Sequence, residues 1–269
     1  MGLRNGTRRQ PPIAVSDARG VRSLHIGGEA IQSAMRIDDP TRLQLDYTRC
    51  MMACLLFHPE PREVLLIGLG GGSIPKFVHR HLKAARMRAV EIDPRVVDVA
   101  RAQFALPPDD ARLRVEIGDG AAALSPGCCD LLLVDAFEDE APSRRTAARS
   151  FYERSWDALE DRGVMVANLM SDDPELDARL QAMEAAFRGA VVCLQAVYDP
   201  NIVAFCLKGM HPRFAWNELR ERAAVLQARL GLPFLRYVNA LRKLNAVTSR
   251  ELVVSPDAVA PGDARLARA

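Results

Sequence analysis

The chain has 269 residues, 49% of them hydrophobic and 26% charged, with a formal net charge of +2. That composition fits one well-filled globular core with appendages and excludes a disordered or collagen-like chain. The longest apolar runs are strand-length, so no stretch is read as spanning a bilayer.

The first residues, "MGLRNGTRRQPP", are basic and polar with no apolar run behind them, and Gly6 stands where a myristoylation signal needs Ser or Thr. A cytoplasmic protein with a flexible segment over 1–12 is expected. In the next unit, 13–38, turn signals at "DARG" and "GGE" separate strand-like runs, which predicts a small antiparallel β unit. A helix is then expected to start in "DDPTRLQLDYTRCMMACLLF", with Asp39 as N-cap and Pro40 in the first turn.

From Glu63 to about Leu207, short apolar runs alternate with helical patterns. The runs are "EVLLIG", "MRAVEI", "LRVEI", "CDLLLVDA", "GVMVANLM", "AVVCLQAVY" and "NIVAFCL". Between the first five lie "SIPKFVHRHLKAA", "DPRVVDVARAQF", a short "DGAAAL" and "RSFYERSWDALED", with apolar residues at helical spacing. Such alternation implies right-handed crossovers and a parallel sheet covered on both faces. The last two runs have hairpin spacing, so that edge is antiparallel. The expected fold class is α/β: a methyltransferase-type Rossmann-like sheet of seven strands, mostly parallel with an antiparallel edge hairpin, plus the N-terminal β unit. The α/β domain spans 39–210. Leu219, Ala223, Leu226 and Leu230 repeat at helical spacing in a C-terminal helical extension, 211–255, and 256–269 is expected to be a frayed tail.

The six cysteines form no C-x-x-C, and His79 and His81 cannot share one helix face, so buried free thiols and no metal are expected. Apart from Lys76, Lys83, Lys208 and Lys243 the 36 basic residues are arginines, but nearly equal acids balance them. Nucleic acid and membrane are therefore disfavoured as partners.

The stretch "LLIGLGGGSIPK", residues 65–76, carries a strand into a helix through four glycines. This presents backbone N–H groups and a positive helix end to a ligand. A dinucleotide fingerprint needs its third glycine at Ser73; the pattern present is G-x-G-x-G, at Gly68, Gly70 and Gly72. Glu91 ends the second strand, where a carboxylate meets ribose hydroxyls, Asp119 and Gly120 follow the third, and Asp135 ends the fourth. Acids at successive strand ends converge on one crevice, which predicts an adenosyl site.

With these residues in place, the chain resembles the spermidine synthase (polyamine aminopropyltransferase) family over roughly residues 13–210. Gln32 in "EAIQSAM" resembles a donor-contacting glutamine, and Tyr47 a tyrosine of the acceptor pocket. Glu91 and Asp119 match the family's "EID" and "GDG" donor contacts. From Asp135 the family's "DSSD" motif, proline and aromatic pair fall on Asp135, Glu138, Pro142, and Phe151 with Tyr152. Tyr198 and Phe205 keep the spacing of the "TYP…GF" strand pair. Two departures stand out: Gly71 occupies the place of the Asp in the family's "GGGDG", and Glu138 replaces the second acid of "DSSD".

The resemblance implies aminopropyl transfer to a di- or polyamine from decarboxylated S-adenosylmethionine or S-adenosylmethionine, without a metal, by a homodimer. Asp135, Glu138 and Tyr47 are the expected catalytic residues. Gln32 and Tyr198 are expected to bind substrate, and Gly68, Gly70, Gly71, Gly72, Glu91, Asp119 and Gly120 to bind the donor. An amine of pKa roughly 10.4 costs about 4–5 kcal/mol to deprotonate at pH 7, which carboxylates in the crevice offset by taking its proton. An Asp at the glycine loop attracts a donor ending in ammonium alone, whereas Gly71 leaves N–H groups for a donor carboxylate. Two alternatives stay open: a methyltransferase on the same scaffold, and a non-catalytic adenosyl-ligand-binding protein.

Overall fold

The computed structural model describes residues 11–136 and 149–254. Glu138, Pro142, most of the expected flexible N-terminus and the expected frayed tail lie outside them.

Seven strands form the central sheet: β4 (Glu63–Ile67), β5 (Arg86–Glu91), β6 (Leu113–Ile117), β7 (Cys129–Val134), β8 (Leu159–Met170), β9 (Val191–Gln195) and β10 (Asn201–Leu207). Their order is β6-β5-β4-β7-β8-β10-β9; β10 runs antiparallel to both neighbours and the first five are parallel. The expected sheet and its antiparallel edge are both present.

Alternate residues of the central strands enter two separate cores, as the two-residue period of a strand demands. Leu66, Leu131, Leu133, Val166 and Phe205 face one core. It is completed by α1 (Asp46–Met51) and the 3₁₀ turn Met52–Leu56, α2 (Ser73–His81), α3 (Pro94–Gln103), α6 (Trp216–Leu230) and α7 (Phe234–Ala240). Leu65, Leu132, Met165 and Cys206 face the other, beneath α4 (Arg149–Ala158) and α5 (Leu176–Ala186). Because both faces are covered, β7 is buried along its whole length. Each of its leucines contributes roughly 2 kcal/mol of burial.

A three-stranded meander, β1 (Ile13–Ala18), β2 (Val21–Ile26) and β3 (Ile31–Arg36), forms the N-terminal β unit. It is joined to the main body through Leu24 and Met35, which meet Phe104 at the end of α3. β3 therefore lies beside the glycine loop, where Ser33 and Ser73 hydroxyls stand 3.3 Å apart.

Three local expectations are corrected. The helix does not start at Asp39, whose carboxylate instead accepts the Thr41 hydroxyl at 2.9 Å. It starts at Asp46 behind Leu45, which has no side chain to cap it, because the acceptor for the Tyr47 N–H is Asp199 from the distant β9–β10 turn. "DGAAAL" makes only a turn, as Asp119 takes the Ala121 N–H at 2.8 Å. The C-terminal extension is not only helical, since β11 (Arg213–Ala215) pairs with β12 (Glu251–Val253). The six cysteines are free, and burial pushes the Cys50 thiol up to about 12. No helix of the described residues is long and apolar enough to cross a membrane.

Candidate active site

The carboxyl ends of β4, β5 and β7 open onto one cleft of about 290 Å³. It sits where the strand order reverses between β4 and β7, the place where open α/β sheets bind ligands. Gly68 makes that junction possible. It leaves β4 at φ +89, and a Cβ on it would stand 2.3 Å from the Asp135 carbonyl oxygen. Only a glycine lets the two strand ends close together here.

Glu91 braces the loop as well as facing the cleft. Its Oε2 accepts the Leu69 N–H at 2.9 Å and its Oε1 the Asp93 N–H at 3.0 Å. Each oxygen keeps a lone pair for a hydroxyl. Asp119 and Gly120 complete this wall, Gly120 so close to Ile67 that a Cβ would lie 2.2 Å from its Cγ2. Ile92 lines the same wall at 63% exposure, an apolar plate that fits the face of a heterocycle.

Gly70, Gln32 and Ser33 line the opposite part of the cleft. Gly71 and Gly72 do not line it. A Cβ on Gly71 would meet the Phe104 ring at 2.8 Å and the Ser33 hydroxyl at 2.9 Å, and one on Gly72 would meet Leu106 at 2.7 Å. Phe104 is held from behind by the buried Lys76, whose Nζ donates to its carbonyl at 2.6 Å. Burial pushes that ammonium down to about 8.

Asp135 stands at the base of the cleft. Its Oδ1 accepts the Asn168 amide at 3.0 Å and its Oδ2 the Tyr47 hydroxyl at 3.3 Å. Burial raises its pKa to about 6, with the two hydrogen bonds pulling the other way. Tyr47 is driven well above the usual phenol value, first by burial and then by Asp135, so it stays a neutral donor. A buried carboxylate poised near neutrality can take a proton from an amine as its nitrogen attacks.

Tyr198 lies outside the cleft lining, 72% exposed, with the Arg236 guanidinium 5.5 Å from its ring centre. The expected residues brought together are thus Gln32, Tyr47, Gly68, Gly70, Glu91 and Asp119 with Gly120 and Asp135. Sequence reasoning missed Ile92, Ser33 and Asn168. Asn168 carried a signal: it is the polar residue within the apolar run "GVMVANLM", at the level of Asp135 on the adjacent strand.

A family model described as "Spermine/spermidine synthase domain" matches residues 46–198. The chain is 35% identical to the polyamine aminopropyltransferase of Chromobacterium violaceum, over 94% of this chain and 97% of that one. Among solved structures, spermidine synthase from Thermotoga maritima superposes with a TM-score of 0.64 at 19% identity, covering 87% of this chain and 84% of the other. Human methyltransferase-like protein 13 in complex with SAH gives 0.61 at 27% identity, covering 77% and 96%. Both sequence matches run through the strands and loops that build the cleft, and on that ground the chain belongs to the spermine/spermidine synthase family.

Proposed function

We propose that this chain is a spermidine-synthase-like transferase that moves an aminopropyl group from an adenosyl sulfonium donor to a small amine. The observation that carries the reading is Asp135, a buried carboxyl raised to about 6 and hydrogen-bonded by Tyr47 and Asn168 at the mouth of the glycine loop. In the reaction the acceptor nitrogen attacks the carbon beside the sulfonium in line, the C–S electrons leave on a neutral thioether, and Asp135 takes the nitrogen's proton. Orientation in the cleft supplies several kcal/mol more.

In this reading Gly68, Gly70 and the backbone beside them approach the donor, while Gly71 and Gly72 shape the loop from behind. Glu91 holds its ribose, and Asp119 and Gly120 with Ile92 hold its adenine. Gln32 faces the donor tail, and Tyr47, Glu138 and Tyr198 serve the acceptor. The donor of the aminopropyl group is decarboxylated S-adenosylmethionine, S-adenosylmethionine itself being the donor of the methyltransferase reading; no metal takes part, and the protein works as a cytoplasmic homodimer. A methyltransferase reading is the second one. The likeness to the human methyltransferase bound to SAH favours it.

Binding is tested first by thermal unfolding with methylthioadenosine or either donor. Saturating ligand at about a hundred times its Kd stabilises by about 2.7 kcal/mol and raises the Tm. An unmoved Tm in folded protein contradicts both enzyme readings.

A further inference from the structure

The turn between β9 and β10 reaches both members of the Asp135–Tyr47 pair by separate routes. Asp199 Oδ2 accepts the Tyr47 backbone N–H at 2.9 Å. The contact is returned by Asp46, 8% exposed, whose Oδ2 accepts the N–H groups of Val197 at 2.7 Å and Tyr198 at 3.3 Å. These bonds fasten the turn to the start of α1. By the second route Asn201, 3% exposed, donates to Asn168 Oδ1 at 2.9 Å, and Asn168 Nδ2 donates to Asp135 Oδ1 at 3.0 Å.

An amide has an accepting and a donating end of nearly the same shape. With its oxygen engaged by Asn201, Asn168 keeps its NH₂ group on Asp135. That bond favours the ionised carboxyl, whereas an amide oxygen turned to the same place disfavours it.

We propose that Asn201 and Asp199 are positioning residues for the Asp135–Tyr47 pair: Asn201 fixes which end of the Asn168 amide faces Asp135, and Asp199 fixes the seat of Tyr47 beside it. The proposal rests on Asp135 as the base of the proposed transfer, but neither residue touches a reacting atom. Among the described residues, the titratable groups around Asp135 are Tyr47 from α1 and, on the other walls of the cleft, Glu91, Asp93 and Asp119. Asn168 and the glycine loop carry no charge.

The test follows the Asp135 carboxyl by ¹³C NMR titration in Asn201→Asp, which keeps the side-chain shape but removes the donated amide hydrogen. Asn201→Ala serves as a second variant without a new buried charge. Loss of a hydrogen bond to an ionised group moves the titration upward by roughly one pH unit. In turnover, the acid limb of kcat/KM moves with it, kcat falls about tenfold, and KM for the donor is unchanged. Asp199→Ala lowers kcat in the same way, and Asp199→Asn, which keeps an acceptor for the Tyr47 N–H, restores it. An unmoved Asp135 titration in folded Asn201 variants overturns the proposal, as does an Asp199→Asn enzyme no better than Asp199→Ala. Wild-type protein inactive with both donors defeats the proposed function instead, and the titration still decides the positioning role.

Discussion

Gly68 and Asp135 meet backbone to backbone: the space a Cβ would need on Gly68 is filled by the Asp135 carbonyl, 2.3 Å away. The residue that opens the glycine loop and the proposed base are thus held in one junction between β4 and β7. Asp135 N–H also donates to the Ile67 carbonyl at 2.8 Å, just before Gly68. A change at Gly68 is therefore felt at the reacting end of the cleft.

Gly68→Ala is expected to destabilise the fold by about 2–3 kcal/mol or more, since it adds a clash with backbone to a φ of +89. Denaturant unfolding measures the loss. A fold as stable as the wild type contradicts the junction described above.

Asp135→Asn is expected to reduce kcat/KM by about 10²–10⁴ while leaving the cleft assembled. Its stability has the opposite sign. The folded-state pKa, about 6, lies above the ordinary 3.8, so the folded protein holds the proton more tightly and stability falls as pH rises from about 4 to 6. Two pH units correspond to about 3 kcal/mol, an upper bound on what the amide restores at pH 7. Unfolding of both proteins at pH 4 and pH 7 checks this: the variant gains at pH 7 and not at pH 4.

The pH profile of kcat/KM is expected to show an acid limb near pH 6, because Asp135 must be ionised to accept a proton. Tyr47→Phe removes one of the two hydrogen bonds that lower its pKa, so the limb moves to higher pH. A limb that stays in place separates Tyr47 from the base.

Gly71→Asp is expected to cost about 1–3 kcal/mol, as the Phe104 ring and Ser33 must give way. The added side chain is directed at Phe104 and Ser33 and not into the cleft, so in the fraction that folds the ratio of affinities for S-adenosylmethionine and the decarboxylated donor is unchanged. Calorimetry on both donors measures that ratio, and S-adenosylmethionine weakened relative to the decarboxylated donor contradicts the placement of Gly71 behind the loop.

The sheet was legible because its central strands, β4, β7 and β10, are nearly unbroken apolar runs between helical patterns, the mark of strands covered on both faces. The G-x-G-x-G pattern and the acids at successive strand ends located the cleft for the same reason: parallel strands point their ends one way. What each glycine does was not legible, because its neighbours come from elsewhere, the Asp135 backbone for Gly68 and Phe104 for Gly71. The start of α1 was misread because its capping acceptor, Asp199, lies 152 residues along the chain from Tyr47. Asn168 was hidden in an apolar run whose polar member only acquires meaning beside Asp135.

The central claim is transfer of an aminopropyl rather than a methyl group, and the coproduct decides it. Purified protein is incubated with either donor, with and without putrescine or spermidine, and the adenosyl product is identified. The account predicts methylthioadenosine, released only when the amine is present and lost in Asp135→Asn. S-adenosylhomocysteine as the amine-dependent product contradicts it.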